Sequence, residues 1–181
     1  VGASEEGKSI RAVITYQDAQ GFDETITTSS SSIPYVDNGD ASFSINGTAA
    51  VGNTLSISEY SADPDGTGTL SYSWQTSTDN STWSVVGTNA TYLVEASEEG
   101  KFIKAVISYQ DAQGFNEIVT TSTSNIPFLD DGDASFSIPG TAEIGQTLNI
   151  SEDSADPDGR GTLSYSWQTS TNNSTWSVVG T

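Results

Sequence analysis

Cysteine, histidine and methionine are absent from this 181-residue sequence, and only five residues are basic. Each absence removes a class of chemistry. Without His or Cys there is no Ser-His-Asp or Cys-His nucleophile pair, no zinc site built on nitrogen or sulfur, and no disulfide. The missing cysteine leaves the redox compartment open. With 24 acidic residues against those five bases the formal net charge is −19, the wrong sign for nucleic-acid backbones and anionic lipid surfaces. No apolar run reaches the roughly 18 residues needed to span a membrane. No signal peptide is visible, so any targeting segment is expected outside this stretch. Strong acidity suits disordered chains. Four Trp, seven Tyr and six Phe, with many Val and Ile, argue for packed cores instead.

What is present is self-similarity, and 52 serines and threonines that dress it. Residues 1–88 align with 94–181 without a gap, with 68 identities in 88 positions, a period of 93 residues. SADPDG at 61–66 recurs at 154–159, LSYSWQTST at 70–78 at 163–171, and YQDAQGF at 16–22 at 109–115. Such a period is too long for a solenoid unit and suits a whole small domain. The linker-like stretches are IPYVDNGDA at 33–41 and IPFLDDGDA at 126–134, which combine Pro, Gly and Asp. Cutting there predicts one complete domain at 38–130, the C-terminal part of a repeat at 1–37, and the N-terminal part of the next at 131–181.

Everything reads as short strands. In 38–130 they are SFSI at 42–45, TLSISE at 54–59, TLSYSWQ at 69–75, WSVV at 83–86, ATYLV at 90–94, FIKAVISYQ at 102–110 and EIVTTSTS at 117–124. Leu70, Tyr72 and Trp74 share one face, as do Ile103, Ala105, Ile107 and Tyr109. Period-2 alternation and turn signals about every ten residues predict an all-β fold, an antiparallel β-sandwich.

DPDGTGTLSYSWQTSTDNSTW followed by ATYLVEASEEGKFIKAVISYQDAQG resembles the tandem Ig-like or cadherin-like repeats of giant bacterial extracellular surface proteins and adhesins. The resemblance covers the whole chain as about two repeat lengths. It implies an Ig-like sandwich, a cell-surface location, calcium at or between domain ends, and an extending or adhesive role. The linkers DNGDA and DDGDA depart from the Asn-Asp-Ala-Pro-like linker of many such repeats, so the ligand set at the joint stays open.

With the seven strands lettered A to G in an Ig-like order, the B–C loop Asp63-Pro64-Asp65-Gly66 and the F–G loop with Asp111 fall at the pole where strand A enters. The linker brings Asp37 and Asp40 there. Such convergent carboxylates suit Ca²⁺, which takes 6–8 oxygen ligands. The plain alternative for Asp-Pro-Asp-Gly is a type I turn. The equivalent set in the next repeat is Asp130, Asp131, Asp133, Asp156 and Asp158, and the F–G acid of the first fragment is Asp18. Glu98 and Glu99, with Glu5 and Glu6, read as solvated turn residues at the far pole. Trp74 and Trp167 read as core. Trp83 and Trp176 read as packing residues, with a sugar-stacking platform as the lesser reading. Asn-x-Ser/Thr triplets begin at Asn46, Asn80, Asn89, Asn149, Asn172 and Asn173, a chance expectation in so Ser/Thr-rich a chain.

A hydrolase site is rarely copied intact into tandem domains, and no carboxylate pair stands in an evident apolar pocket, so no enzyme is expected. The leading expectation is a structural repeat of an extracellular bacterial stalk, filament or surface layer, rigidified by calcium at its joints. The alternative is an adhesive or carbohydrate-binding module with a glycan or cell surface as partner. Neighbouring copies, or further repeats if the polypeptide is longer, are expected to complete the partial domains head to tail, burying Ile10, Val13 and Tyr16 against the sheet that carries Trp167 of another copy.

Overall fold

The computed structural model describes all 181 residues. Apart from two 3₁₀ turns, Ala3–Glu5 and Ala96–Glu98, every regular element is a strand, and all strand pairs are antiparallel. No helix is long and apolar enough to cross a membrane. The chain divides into two units, Val1–Phe128 and Leu129–Thr181.

The first unit opens with β1 (Ser9–Ile10), β2 (Val13–Gln17), β3 (Asp23–Thr27) and β4 (Ser31–Ser32), in which β1 pairs with β4 and β2 with β3. No residue from Val1 to Asp40 is buried. The core is built by β5 (Ser42–Asn46), β6 (Thr54–Ser61), β7 (Ser71–Ser77), β8 (Ser84–Gly87), β9 (Thr91–Leu93), β10 (Phe102–Gln110), β11 (Asn116–Thr120) and β12 (Ser124–Asn125). One sheet has the order β5-β6-β9. The other has the order β11-β10-β7-β8, with β12 also on β10.

Their inner faces share one apolar cluster. Along β10 the side chains of Ile103, Ala105, Ile107 and Tyr109 are buried, while Lys104, Val106 and Ser108 turn outward, the period-2 alternation of a pleated strand. Leu55 from β6 and Trp74 from β7 are fully buried among them. Tyr92 of β9 stacks on Trp74 with centroids 5.7 Å apart. Phe43 of β5 meets Tyr109 edge-on at 6.3 Å. The Trp74 indole N–H donates to the Asn89 carbonyl at 2.9 Å, so the buried ring leaves no polar atom unmet.

The stretch expected as one strand at 117–124 is two strands, β11 and β12. Val106 pairs with Thr120, but Ile103 pairs with Ser124, so the last strand carries one extra residue. Thr121 repairs the gap. Its hydroxyl accepts from the Ala105 N–H at 3.0 Å, and its own N–H donates to the Ala105 carbonyl at 2.9 Å. β1–β4 repeat this pattern 93 positions earlier, with Val13 opposite Thr27, Ile10 opposite Ser31, and the Thr28 hydroxyl on the Ala12 N–H at 3.0 Å.

The second unit holds β13 (Ser135–Ser137), β14 (Ser151–Ser154), β15 (Trp167–Thr169) and β16 (Ser177–Gly180), paired β13–β14 and β15–β16. None of its residues is buried. Its limit at Leu129 lies slightly before the linker boundary expected at 130. Phe128 closes the first unit by lying on Gly100, where a Cβ would stand 2.2 Å from the ring.

Candidate metal centre

Asp63-Pro64-Asp65-Gly66 is a turn, as its sequence dictates. The Gly66 N–H reaches the Asp63 carbonyl at 3.1 Å, with Gly66 at φ +94°, where glycine is favoured. The Asp63 carboxylate folds back to accept from the Asp65 N–H at 2.7 Å. Its other oxygen accepts from the Tyr109 hydroxyl at 2.7 Å, and that hydroxyl in turn accepts from the Ala41 N–H at 2.8 Å. Burial, and after it the Asp63 bond, push the Tyr109 phenol up to about 12, so it remains a donor.

The linker and the β10–β11 loop lock onto this turn. Asn38 donates to Asp65 from its backbone at 2.7 Å and from its side chain at 3.0 Å. Gln113 donates to Asp65 at 2.8 Å. One oxygen of Asp111 accepts from three successive amides, those of Gln113, Gly114 and Phe115, at 2.6–2.9 Å.

Two carboxylate triads result. Asp63, Asp65 and Asp111 offer oxygens within 4.8 Å of one another, and so do Asp37, Asp40 and Glu117. Asp63, Asp111 and Glu117 are buried. No base balances them. The chain's one ion pair joins Arg160 to Glu152 in the other unit, at 2.7 Å, and the Lys104 ammonium lies over the Trp83 ring, 4.0 Å from its centroid. The contact with Asp40, joined by burial and by the charges of Asp40, Asp37 and Asp63, pushes Glu117 up to about 7. A cation among carboxylates this close would offset their mutual repulsion. The donors are all oxygen, and the buried Gln113 amide oxygen has no partner. An oxygen-only donor set of this kind fits Ca²⁺.

The structure therefore gathers Asp37, Asp40, Asp63, Asp65 and Asp111 at one pole of the first unit, split between two triads. The other candidates stay apart. Asp130, Asp131, Asp133, Asp156 and Asp158 form no triad, although their local scaffold is the same. Asp131 N–H donates to Asp158 at 2.9 Å, and Asp158 N–H to Asp156 at 2.9 Å. That unit has no counterpart of Asp111 or Glu117. Asp18 joins no triad and accepts from the Gln20 and Phe22 amides at 2.9 Å.

Two expectations are corrected. Glu98 is not a solvated turn residue: it is buried, caps its 3₁₀ turn by accepting from the Glu95 N–H at 2.9 Å, and takes the Tyr92 hydroxyl hydrogen bond. Val13 is not on the face that its strand would bury. Its counterpart Val106 turns outward, and Ile14, the counterpart of buried Ile107, holds the inner position.

Glu117, Gln113, Asn38 and the Tyr109 hydroxyl were not singled out by the sequence. Glu117 had a signal. It sits two residues before Val119, which packs on the core, while Ile118 between them is exposed; a carboxylate thus holds an inward register position. No family model, curated protein or solved structure matches the chain.

Proposed function

We propose that this chain is a structural stretch of tandem Ig-like β-sandwich repeats from an extracellular bacterial stalk, filament or surface-layer protein, stiffened by calcium where linker meets domain. The observation that carries this reading is the uncompensated acid pole. Asp37 and Asp40 come from the linker, whereas Asp63, Asp65, Asp111 and Glu117 come from the body. A cation held among them ties the linker's direction to the domain. The strand order β5-β6-β9 in one sheet and β11-β10-β7-β8 in the other supports this reading, because an Ig-like sandwich also sets A-B-E against G-F-C. Outward Ser and Thr keep its surface polar. A spacer role fits a chain whose repeats differ so little, and which has no His or Cys from which a Ser-His-Asp or Cys-His pair could be built. A glycan platform at Trp83 is disfavoured by Lys104, which occupies one face of that ring.

A ligand that binds only the folded state stabilises it by RT ln(1 + [L]/Kd), about 2.7 kcal/mol at a hundredfold excess. Melting in EDTA and in millimolar calcium tests the reading. The melting temperature should rise with calcium. Asp65→Ala should remove most of that rise. Asp79→Ala should keep it, because Asp79 only caps its own turn through Ser81 and Thr82 amides at 2.8 and 2.7 Å. A melting temperature indifferent to calcium overturns the metal centre.

A further inference from the structure

Two Asn-Gly pairs occur in the chain, Asn38-Gly39 and Asn46-Gly47. Asparagine is a chemically labile residue, and a following glycine, lacking Cβ, leaves its amide nitrogen free to reach the asparagine side chain. The two pairs share that local chemistry, but the fold holds them differently. Asn46 ends β5 and pairs with Ser56 in the ladder to β6. Gly47 is pressed against that neighbouring strand: a Cβ there would stand 3.2 Å from both the Thr54 carbonyl and the Leu55 side chain. Turning the peptide between Asn46 and Gly47 means opening the end of the sheet. Asn38, in contrast, belongs to no regular element and is exposed, and nothing lies within 4 Å of the Cβ position at Gly39. Its side-chain amide is held at the surface, by the Val36 carbonyl at 3.1 Å and by Asp65 at 3.0 Å. The Gly39 N–H donates within the linker itself, to Asp37 at 2.8 Å, a bond on which no strand depends.

We propose that Asn38 is a modification site, which converts spontaneously to aspartate and isoaspartate in the folded chain while Asn46 is preserved. The Gly39 nitrogen gives up its proton and attacks Asn38 Cγ. The Cγ–Nδ2 bond breaks, ammonia leaves with a proton in place of the one given up, and a cyclic succinimide joins the two residues. Water then opens the ring. Addition at the side-chain carbonyl gives aspartate, and addition at the main-chain carbonyl gives isoaspartate, whose backbone runs through Cβ and Cγ. Nothing is oxidised or reduced, and water is the only co-reactant.

The other copy of the linker already carries the aspartate. Asp131 stands 93 positions after Asn38. Its N–H donates to Asp158 at 2.9 Å, as the Asn38 N–H donates to Asp65 at 2.7 Å. The Gly132 N–H reaches Asp130 at 3.1 Å, as the Gly39 N–H reaches Asp37. An acid at this position is therefore compatible with the linker's path. What conversion removes is the side-chain clasp of Asn38 on Asp65, and it sets a new carboxylate beside the old one. Isoaspartate goes further, because its extra backbone carbon puts the amides of residues 38 and 39 out of step with their acceptors. Conversion thus loosens the linker from the domain and leaves the core intact.

The proposal is independent of the metal centre, and its test is run in EDTA. The full chain is incubated at mildly alkaline pH, and fragmentation mass spectrometry locates the amide-to-acid change with time. Isoaspartate is counted by enzymatic methylation of its carboxylate. In urea, where neither pair is held, Asn38 and Asn46 should convert at similar rates. In the folded chain Asn38 should convert steadily, and Asn46 about tenfold or more slower, because its ladder must open first. Asn38→Gln, whose longer side chain closes the ring poorly, should abolish most of the isoaspartate, with near-ultraviolet dichroism retained to show that the first unit is folded. The proposal is overturned if Asn46 converts as fast as Asn38 in the folded chain. It is equally overturned if Asn38 stays intact there over the time in which the urea-treated chain converts, or if Asn38→Gln leaves the isoaspartate count unchanged.

Discussion

Glu117 is the residue on which the acid pole turns. Ordinarily a glutamate carboxyl titrates near 4.5; beside Asp40 it is pushed up to about 7. A raised folded value means that the folded state holds the proton more tightly than the unfolded chain does. Its contribution to stability is complete below the unfolded value and is lost as pH rises through the folded one. In EDTA the melting temperature should therefore fall between about pH 5 and pH 8. Glu117→Gln, which keeps the size and cannot ionise, should flatten that fall. Calcium should reverse it, because a cation prefers the ionised cluster. Equal pH profiles for Glu117→Gln and the parent in EDTA would show that this carboxyl does not titrate in the window.

At the scale of elements, the last strand of the core is held by a side chain where its ladder breaks. Thr121 is buried and satisfies the Ala105 N–H on the one-residue bulge between β11 and β12. Thr121→Val preserves shape but leaves a buried donor unpaired, a loss of about 1–3 kcal/mol. Urea unfolding should show a lower midpoint at unchanged slope, and Thr121→Ser should recover most of it. A neutral Thr121→Val would mean that water or a shifted register serves Ala105. The same bulge in β1–β4 lies in a segment with no core, so Thr28→Val should leave the main unfolding transition where it was.

At the scale of the whole molecule, stability is expected to be uneven along a nearly repeated sequence. VITYQ at 13–17 and VISYQ at 106–110 differ at one position, so their intrinsic exchange rates are nearly equal. One lies in a hairpin with no buried residue, the other in the central strand of a sealed core. Hydrogen exchange should leave 106–110 protected close to the global limit. Residues 13–17 should exchange orders of magnitude faster. Equal protection of the two stretches would place a core where the fold has none.

The sequence by itself determined the strands and their faces. β10 spans the nine residues that its alternation marks, and Leu55, Trp74, Ile103 and Ile107 are buried as their period-2 positions require. It also determined the Asp63–Gly66 turn, because Pro, Asp and Gly at those offsets act within four residues. Tertiary structure decided which sheets face each other, the break at Thr121, the burial of Glu98, and the division of the acids into two triads. Those outcomes depend on partners far apart in the chain. Tyr109 reaches Asp63 across 46 positions, and Gln113 reaches Asp65 across 48. Local alternation and turn chemistry carry no information about such distances. For the same reason VITYQ and VISYQ, almost one sequence, have opposite fates: burial belongs to the surface a strand meets, and only one of them meets it within its own unit.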